Sequence, residues 1–423
     1  MVVFCNYTTF AQQMTYVPDD DFEEGLEYLG FGNGIAGDDS VLTSAVSAID
    51  SISLNPNVWC FACGSISITD LTGLQDFSSL RVLDLGANGD LGLNGSIESK
   101  IPSLPNLEWL NVEASAYDTL DISNLPSLKY VSARKIGVVQ AQGGISSRLK
   151  FLNISNSQNI ETINLGKNSG LNISNLLSIN SLKTLILDDV SSVSGVIDLS
   201  NLNSLEFFDV SNDNINNLLL NNNLNLEHLN CSNNSLTSLE LYNNSEIEYL
   251  DCSGNTLVYL DLVNQTNIEH LDCNTSNVIC LNLKNGNNLN MSFIDATGNP
   301  TLSCVDVDDS LVATAIWIPG SNYNFDNYSF SNNCGLPCSG SISNLPTISL
   351  DKFSIYPNPT KEDINISIEN FNGNIQTEVY DLIGNKLQTT SETTISLQEY
   401  ARGIYILKVA YGDRVEELKV IKE

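Results

Sequence analysis

Basic residues are scarce. The 423-residue chain has 18 Lys plus Arg against 50 Asp plus Glu, a formal charge of −32 at pH 7. Phosphate backbones and anionic lipid surfaces need a basic face, so nucleic acid is not expected as a partner and anionic membrane surfaces are poor ones. Histidine is rarer still, with His228 and His270 alone. Metal sites and acid–base catalysis that rely on imidazole have little to work with. Neither a G-x-S-x-G nor an H-E-x-x-H motif accompanies these histidines, no cofactor motif occurs, and catalysis is not expected. No apolar run approaches the ~18–20 residues of a transmembrane helix.

The charge imbalance is uneven. Thr184–Leu350 holds 19 acids and one base, Lys284, whereas Asp351–Glu423 holds 12 acids and 8 bases. The last 73 residues therefore read as a separate unit. The start, MVVFCNYTTFAQQ, reads as the remnant of a signal peptide over 1–11, cut near Ala11.

What the chain does have is a repeat. Cys231, Cys252 and Cys273 are spaced 21 residues apart in the frame L-x-x-L-x-C-x-x-N-x-L-x-x-L-x-L. Upstream, Leu, Val, Ile or Ala replaces the cysteine, as in LRVLDLGAN, LEWLNVEAS, LKFLNISNS and LEFFDVSND. The second Leu-type position falls at 83, 110, 131, 152, 185, 208, 229, 250, 271 and 294, with an insertion expected around Gly166–Leu176 and an irregular first unit from Ser65. Each L-x-L reads as a short strand with alternate residues inward. One such strand cannot bury its own apolar side, but stacked turns share a continuous core. The asparagine after the strand, as at Asn88, Asn234 and Asn255, suits a tight turn in which the amide bonds neighbouring backbone.

This frame resembles the leucine-rich repeat family over about Ser65–Val307. The resemblance implies a solenoid of short parallel strands, α/β in type, with repeats over 65–303. TYVPDDDFEEGLEYLGF from Thr15 resembles the helical N-terminal cap of secreted bacterial repeat proteins, giving a cap with an insertion loop over 12–64. LSCVDVDD…NCG, from Leu302 to Gly335, resembles their C-terminal cap over 304–340, which implies a Cys304–Cys334 disulfide. After a linker at 341–350, the tail resembles the type A sorting domain of type IX secretion over 351–423. The matching residues are Tyr356-Pro357-Asn358-Pro359-Thr360, Gly384, Gly403-Ile404-Tyr405 and Lys419-Val420-Ile421-Lys422. The resemblance implies a small β-sandwich read by the secretion machinery, and a protein at or beyond the outer membrane of a Gram-negative bacterium.

Laid out by column, the residue before each second Leu reads Val82, Trp109, Tyr130, Phe151, Thr184, Phe207, His228, Tyr249, His270, Phe293. Only Val82 and Thr184 break an aromatic and histidine stripe on the concave side. Exposed rings in a row suit sugar stacking or a protein hot spot. They equally suit cross-strand stacking that steadies the sheet. The next outward column turns acidic, with Asp209, Asp251, Asp272 and Asp295. It could accept hydrogen bonds from sugar hydroxyls or cationic side chains, or be a solvated face, and no metal is assigned to it. DVDD at Asp306–Asp309 lacks an EF-hand's glycine and distal Glu and reads as a cap turn.

Cys231, Cys252 and Cys273 sit at the inward position, where free buried thiols are expected. Cys60 and Cys63 suggest a local bridge, the pairing of Cys338 is open, and Cys280 offers Cys304 a rival partner. The expected function is a non-enzymatic extracellular binding or adhesion protein, holding a protein or glycan on the concave sheet. The alternative is a structural surface or matrix protein without a defined small ligand.

Overall fold

The computed structural model describes residues 12–55, 68–87, 98–114, 119–135, 149–318, 322–326, 328–335, 353–368, 375–381, 385–411 and 414–423. Two units result, Met1–Gly340 and Ser341–Glu423. The expected signal peptide, the linker, and Cys60, Cys63 and Cys338 lie outside the described residues.

The first unit is built on a twelve-stranded sheet. In chain order its strands are Ser51–Ser53, Val82–Asp84, Trp109–Asn111, Tyr130–Ser132, Thr162–Asn164, Thr184–Ile186, Phe207–Asp209, His228–Asn230, Tyr249–Asp251, His270–Asp272, Phe293–Asp295 and Tyr323–Asn324. All pair in parallel and in register, so each middle residue faces its counterpart in the next turn. Leu83, Leu110, Val131, Ile163, Leu185, Phe208, Leu229, Leu250, Leu271 and Ile294 form one such row, and all are buried. Burial is worth roughly 1.5–3 kcal/mol for each large side chain, and both neighbouring turns must be present to complete it.

Three expectations are corrected. Phe151 does not stand in the twelve-stranded sheet. Its strand, Phe151–Asn153, pairs with Thr119–Asp121, and that strand with Glu98–Lys100, in a separate sheet on the returning side of the turns. Thr162 takes its place in the column, and Asn164 that of Asn153. Both segments, LKFLNI and IETINL, carry apolar residues at the same offsets, so the frame fits either strand of a turn. The long step therefore runs from Val131 to Ile163, 32 residues, and the next, to Leu185, is 22; the extra length precedes Gly166–Leu176 rather than occupying it. The sheet also begins earlier than the irregular unit at Ser65, with Ser51–Ser53 pairing Val82–Asp84.

Further short parallel sheets line the returning side. Ser194–Asp198 pairs with Asn214–Leu219, and Tyr259–Asp261, Cys280–Leu283, Val305–Val307 and Phe330–Ser331 pair in that order. At the corner after most main strands the chain passes through a left-handed residue, such as Asn212, Asn233, Gly254 and Gly298. Asn and Gly tolerate that conformation best. The next residue is usually an asparagine whose Nδ2 donates to two carbonyls: its own turn's, three residues back, and the matching one of the preceding turn. Asn234 reaches Val210 and Cys231 at 2.8 and 3.1 Å, and Asn255 reaches Cys231 and Cys252 at 3.0 Å each.

Both ends are closed. A helix at Asp20–Tyr28 begins at Asp19, whose Oδ1 accepts from Phe22 N at 2.9 Å and whose Oδ2 accepts from Thr69 N at 2.7 Å. The other end carries the Cys304–Cys334 disulfide and a helix at Ser310–Ile316, which Asp309 caps at its N-terminus. Buried Trp317 meets Tyr323, Phe325 and Phe330 there. Cys304 is therefore not the partner of Cys280, which is itself disulfide-bonded. Cys231, Cys252 and Cys273 are free and buried, and burial pushes all three thiols up.

The second unit has seven described strands in two antiparallel sheets, around Ile364, Val379, Ile395, Leu407, Val409 and Val420. Asn358, from the Tyr-Pro-Asn-Pro-Thr segment, donates to Lys419 O at 2.8 Å and accepts from Ile421 N at 2.9 Å. The motif thus holds the end of the C-terminal strand.

Candidate functional site

In the three-residue strands of the twelve-stranded sheet the second residue is buried while the first and third are exposed or half-buried, except for the buried Ser132. The aromatic column falls on this outward face in two series. Trp109 and Tyr130 stack with centroids 5.2 Å apart. Thr162 and Thr184 then interrupt. From there five rings run without a break. Phe207–His228 and His228–Tyr249 are 4.0 Å apart, Tyr249–His270 is 4.2 Å and His270–Phe293 is 4.3 Å, with interplanar angles between 7° and 14°. In-register parallel strands lie about 4.8 Å apart, so rings of one column must tilt slightly to touch. Phe151 belongs to neither series and is 61% exposed on the other side.

This stacking decides what the rings can present. The inner rings, His228, Tyr249 and His270, have both faces covered by neighbours and show only their edges, so a sugar cannot lie flat on them. The histidines stay neutral near pH 7. Burial lowers His228 to about 4, helped by His270 and opposed by Asp251, and burial also lowers His270. Neither imidazole has a hydrogen bond to an acid or hydroxyl among the described residues.

Acids flank the stack on both sides. In the third column Asp209, Asp251, Asp272 and Asp295 each accept, through Oδ1, from the backbone N–H two residues on, at 3.0 Å. Asn230 stands among them and donates to Asp209 at 3.3 Å. Asp251, Asp272 and Asp295 are directly in register. Burial, then the neighbouring Asp251 and Asp295, push Asp272 up to about 6, and burial raises Asp209.

The column ahead of the rings was not singled out from sequence, although it is visible as the residue after the first Leu of each L-x-x-L. It reads Arg81, Glu108, Lys129, Glu161, Lys183, Glu206, Glu227, Glu248, Glu269. Glu108 meets Arg81 at 3.0 Å and Lys129 at 3.4 Å, and Lys183 lies 3.7 Å from Glu161 and 3.8 Å from Glu206. Among the described residues no base pairs with Glu227, Glu248 or Glu269, which are exposed. Nor does any group of three or more His, Cys, Asp or Glu form a metal cluster there.

Residues 354–423 match the secretion system C-terminal sorting domain family. A search of curated proteins gives no match. Among solved structures, the functional domain of InlJ from Listeria monocytogenes, described as including a cysteine ladder, is similar at 17% identity and a TM-score of 0.49, covering 98% of this chain and 100% of that one. Listeria monocytogenes InlP is similar at 15% identity and a TM-score of 0.38, covering 96% and 99%. No helix among the described residues is long and apolar enough to cross a membrane. The match over residues 354–423 to a secretion sorting domain marks the chain for export to the cell surface or the extracellular space, and the unit ahead of it is a solenoid of short parallel strands.

Proposed function

We propose that this is a non-enzymatic binding protein that holds a cationic protein segment across the outward face of its twelve-stranded sheet, between Phe207 and Asp295. The observation that carries the reading is the continuous five-ring stack with carboxylate columns on both sides. Like charges in register on adjacent strands oppose folding. A partner's lysines and arginines would relieve that repulsion. The ring edges between them offer apolar contact at little entropy cost. The covered ring faces favour a protein over a glycan. The non-enzymatic reading is supported by the placement of both histidines against rings rather than beside a nucleophile. Sorting to the surface fits such a role, with residues 351–423 addressing the secretion machinery.

The test is titration of the full chain with a Lys/Arg-rich synthetic peptide at 50 and 300 mM salt, alongside a neutral peptide and a glycan array. Saturable binding of the basic peptide alone, weakening with salt, is expected. Saturable glycan binding that survives Glu227→Gln, Glu248→Gln and Glu269→Gln together would replace this reading with a lectin. Reproducible absence of any binding would leave the structural surface protein.

A further inference from the structure

The corner asparagines form a ladder. Each sits three residues after the last inward residue of its strand: Asn168 after Leu165, Asn234 after Cys231, Asn255 after Cys252, Asn299 after Ala296. Each uses Nδ2 to donate to the carbonyl of that inward residue and to its counterpart one turn earlier. For Asn168 these are Leu165 and Ala133, both at 2.9 Å, and for Asn299 they are Ala296 and Cys273 at 3.0 and 2.9 Å. At Ser276 a hydroxyl does the same work, donating to Cys252 O at 2.8 Å. Every one of these side chains is a donor.

Three residues after Val210 the ladder residue is Asp213, which as a carboxylate has no proton to give. It is 6% exposed and neither carboxylate oxygen has a hydrogen-bond partner. The Val190 N–H points toward it without closing a bond. The charges around it have the wrong sign. Asp189 and Asp188, from the preceding turn, and Asp209, from its own strand, all act on it with like charge, and Asp188 is itself paired with Arg134, Nη2 to Oδ2 at 2.6 Å. An ionised carboxylate would lie against carbonyl oxygens in a buried corner, which is costly.

We propose that Asp213 is a proton-holding rung. As the neutral acid it replaces an asparagine, its single O–H donating to the ladder carbonyls of Leu187 or Val210, and loss of that proton to solvent loosens the solenoid at this turn. Burial, followed by the three neighbouring aspartates, pushes its pKa up to about 8 against an ordinary 3.8, so the proton stays on at neutral pH. The turn concerned carries Phe207, the first ring of the stack, and leads into the Asn214–Leu219 strand. The middle of the repeat array is therefore tightest in acidic surroundings and weakens as pH rises toward about 8.

The sign follows from linkage. Between about pH 4 and 8 the folded chain binds a proton here that the unfolded chain has lost, so stability falls as pH rises across that window and then levels. Asp213→Asn keeps the shape and supplies a permanent donor. Denaturant unfolding of the full chain and of D213N, from pH 4 to 9, isolates the residue because every other titrating group is common to both. The expected result is that the two are alike near pH 4. The variant's advantage in the folding equilibrium should then grow, by at most about tenfold per pH unit, until about pH 8. Asp213→Ala should follow the same pH course from a lower starting point. Hydrogen exchange in the peptides covering 187–220, corrected for the intrinsic rise with pH, should speed up between about pH 4 and 8 and then level in the natural chain, and should not change in this way in D213N. A pH-independent difference for both variants, or a D213N chain less stable than the natural one at pH 8, overturns the proposal.

Discussion

In the first half of the sheet, each glutamate ahead of a strand has a base within reach. Glu108 lies between Arg81 and Lys129, Glu161 meets Lys183, and Arg134 reaches past the Thr162 turn to Asp188. In the second half the same positions are Glu227, Glu248 and Glu269, with no base paired to them among the described residues, beside Asp251, Asp272 and Asp295. The rings divide in the same way, two in the first half and five in an unbroken run in the second. Yet the inward rows are alike, Leu110 and Leu250 both fully buried. One core therefore supports two different outward faces. The face that cancels its own charge needs nothing from outside, and the one that does not is the better candidate for meeting a partner.

The comparison can be tested from the inside outward. Leu110→Ala and Leu250→Ala should each cost about 2–5 kcal/mol, by similar amounts, because both lose a buried side chain between two turns. Unequal costs in chemical denaturation would mean that the halves differ in packing as well as in surface.

Removal of the three glutamates of the second half, as Glu227→Gln, Glu248→Gln and Glu269→Gln, should weaken basic-peptide binding by about tenfold or more at low salt and leave or raise the melting temperature. Glu108→Gln should do the reverse, leaving binding unchanged and slightly lowering stability as Arg81 and Lys129 lose their partner. Similar binding losses from both would erase the distinction between the halves.

Tyr249→Ser would interrupt the five-ring run at its centre, at a cost of about 1–3 kcal/mol from lost stacking and burial. The equivalent cut at Tyr130 ends a single pair and should cost less.

The smallest effect concerns pH. His228 is held below its unfolded value by burial, so its contribution to stability is lost as pH falls from about 6.5 to about 4. Asp272, held above its own unfolded value, works in the opposite direction over about pH 4 to 6. The two partly offset each other. His228→Phe should expose the imbalance as a gain in stability that grows toward pH 4, on the order of 1 kcal/mol after solvent screening of a half-buried ring. A gain that does not vary with pH would show that the stack, not the proton, is responsible.

The fold was legible because the repeat states it many times. A row such as Leu229, Leu250 and Leu271 recurs at fixed spacing, and only parallel stacking buries every member. Phe151 was misplaced because a turn has two strands with the same alternation. Pairing with Thr119–Asp121 rather than Tyr130–Ser132 depends on the length of the chain between them. The ring column was visible as a list of residues, but not whether its faces were open or covered. The Asn234 and Asn255 corners could be anticipated as turns, whereas the meaning of Asp213 could not, since an aspartate after a strand reads as an ordinary turn residue until its burial is known.

By itself, then, the sequence determined the solenoid, the inward rows, the sorting tail and the sign of the outward charge, all of which follow from periodicity and composition. Tertiary structure alone decided which rings touch, which acids find a base and which corner buries a carboxyl group. Those depend on distances between turns about 20 residues or more apart along the chain, and a column read along the chain carries no distances.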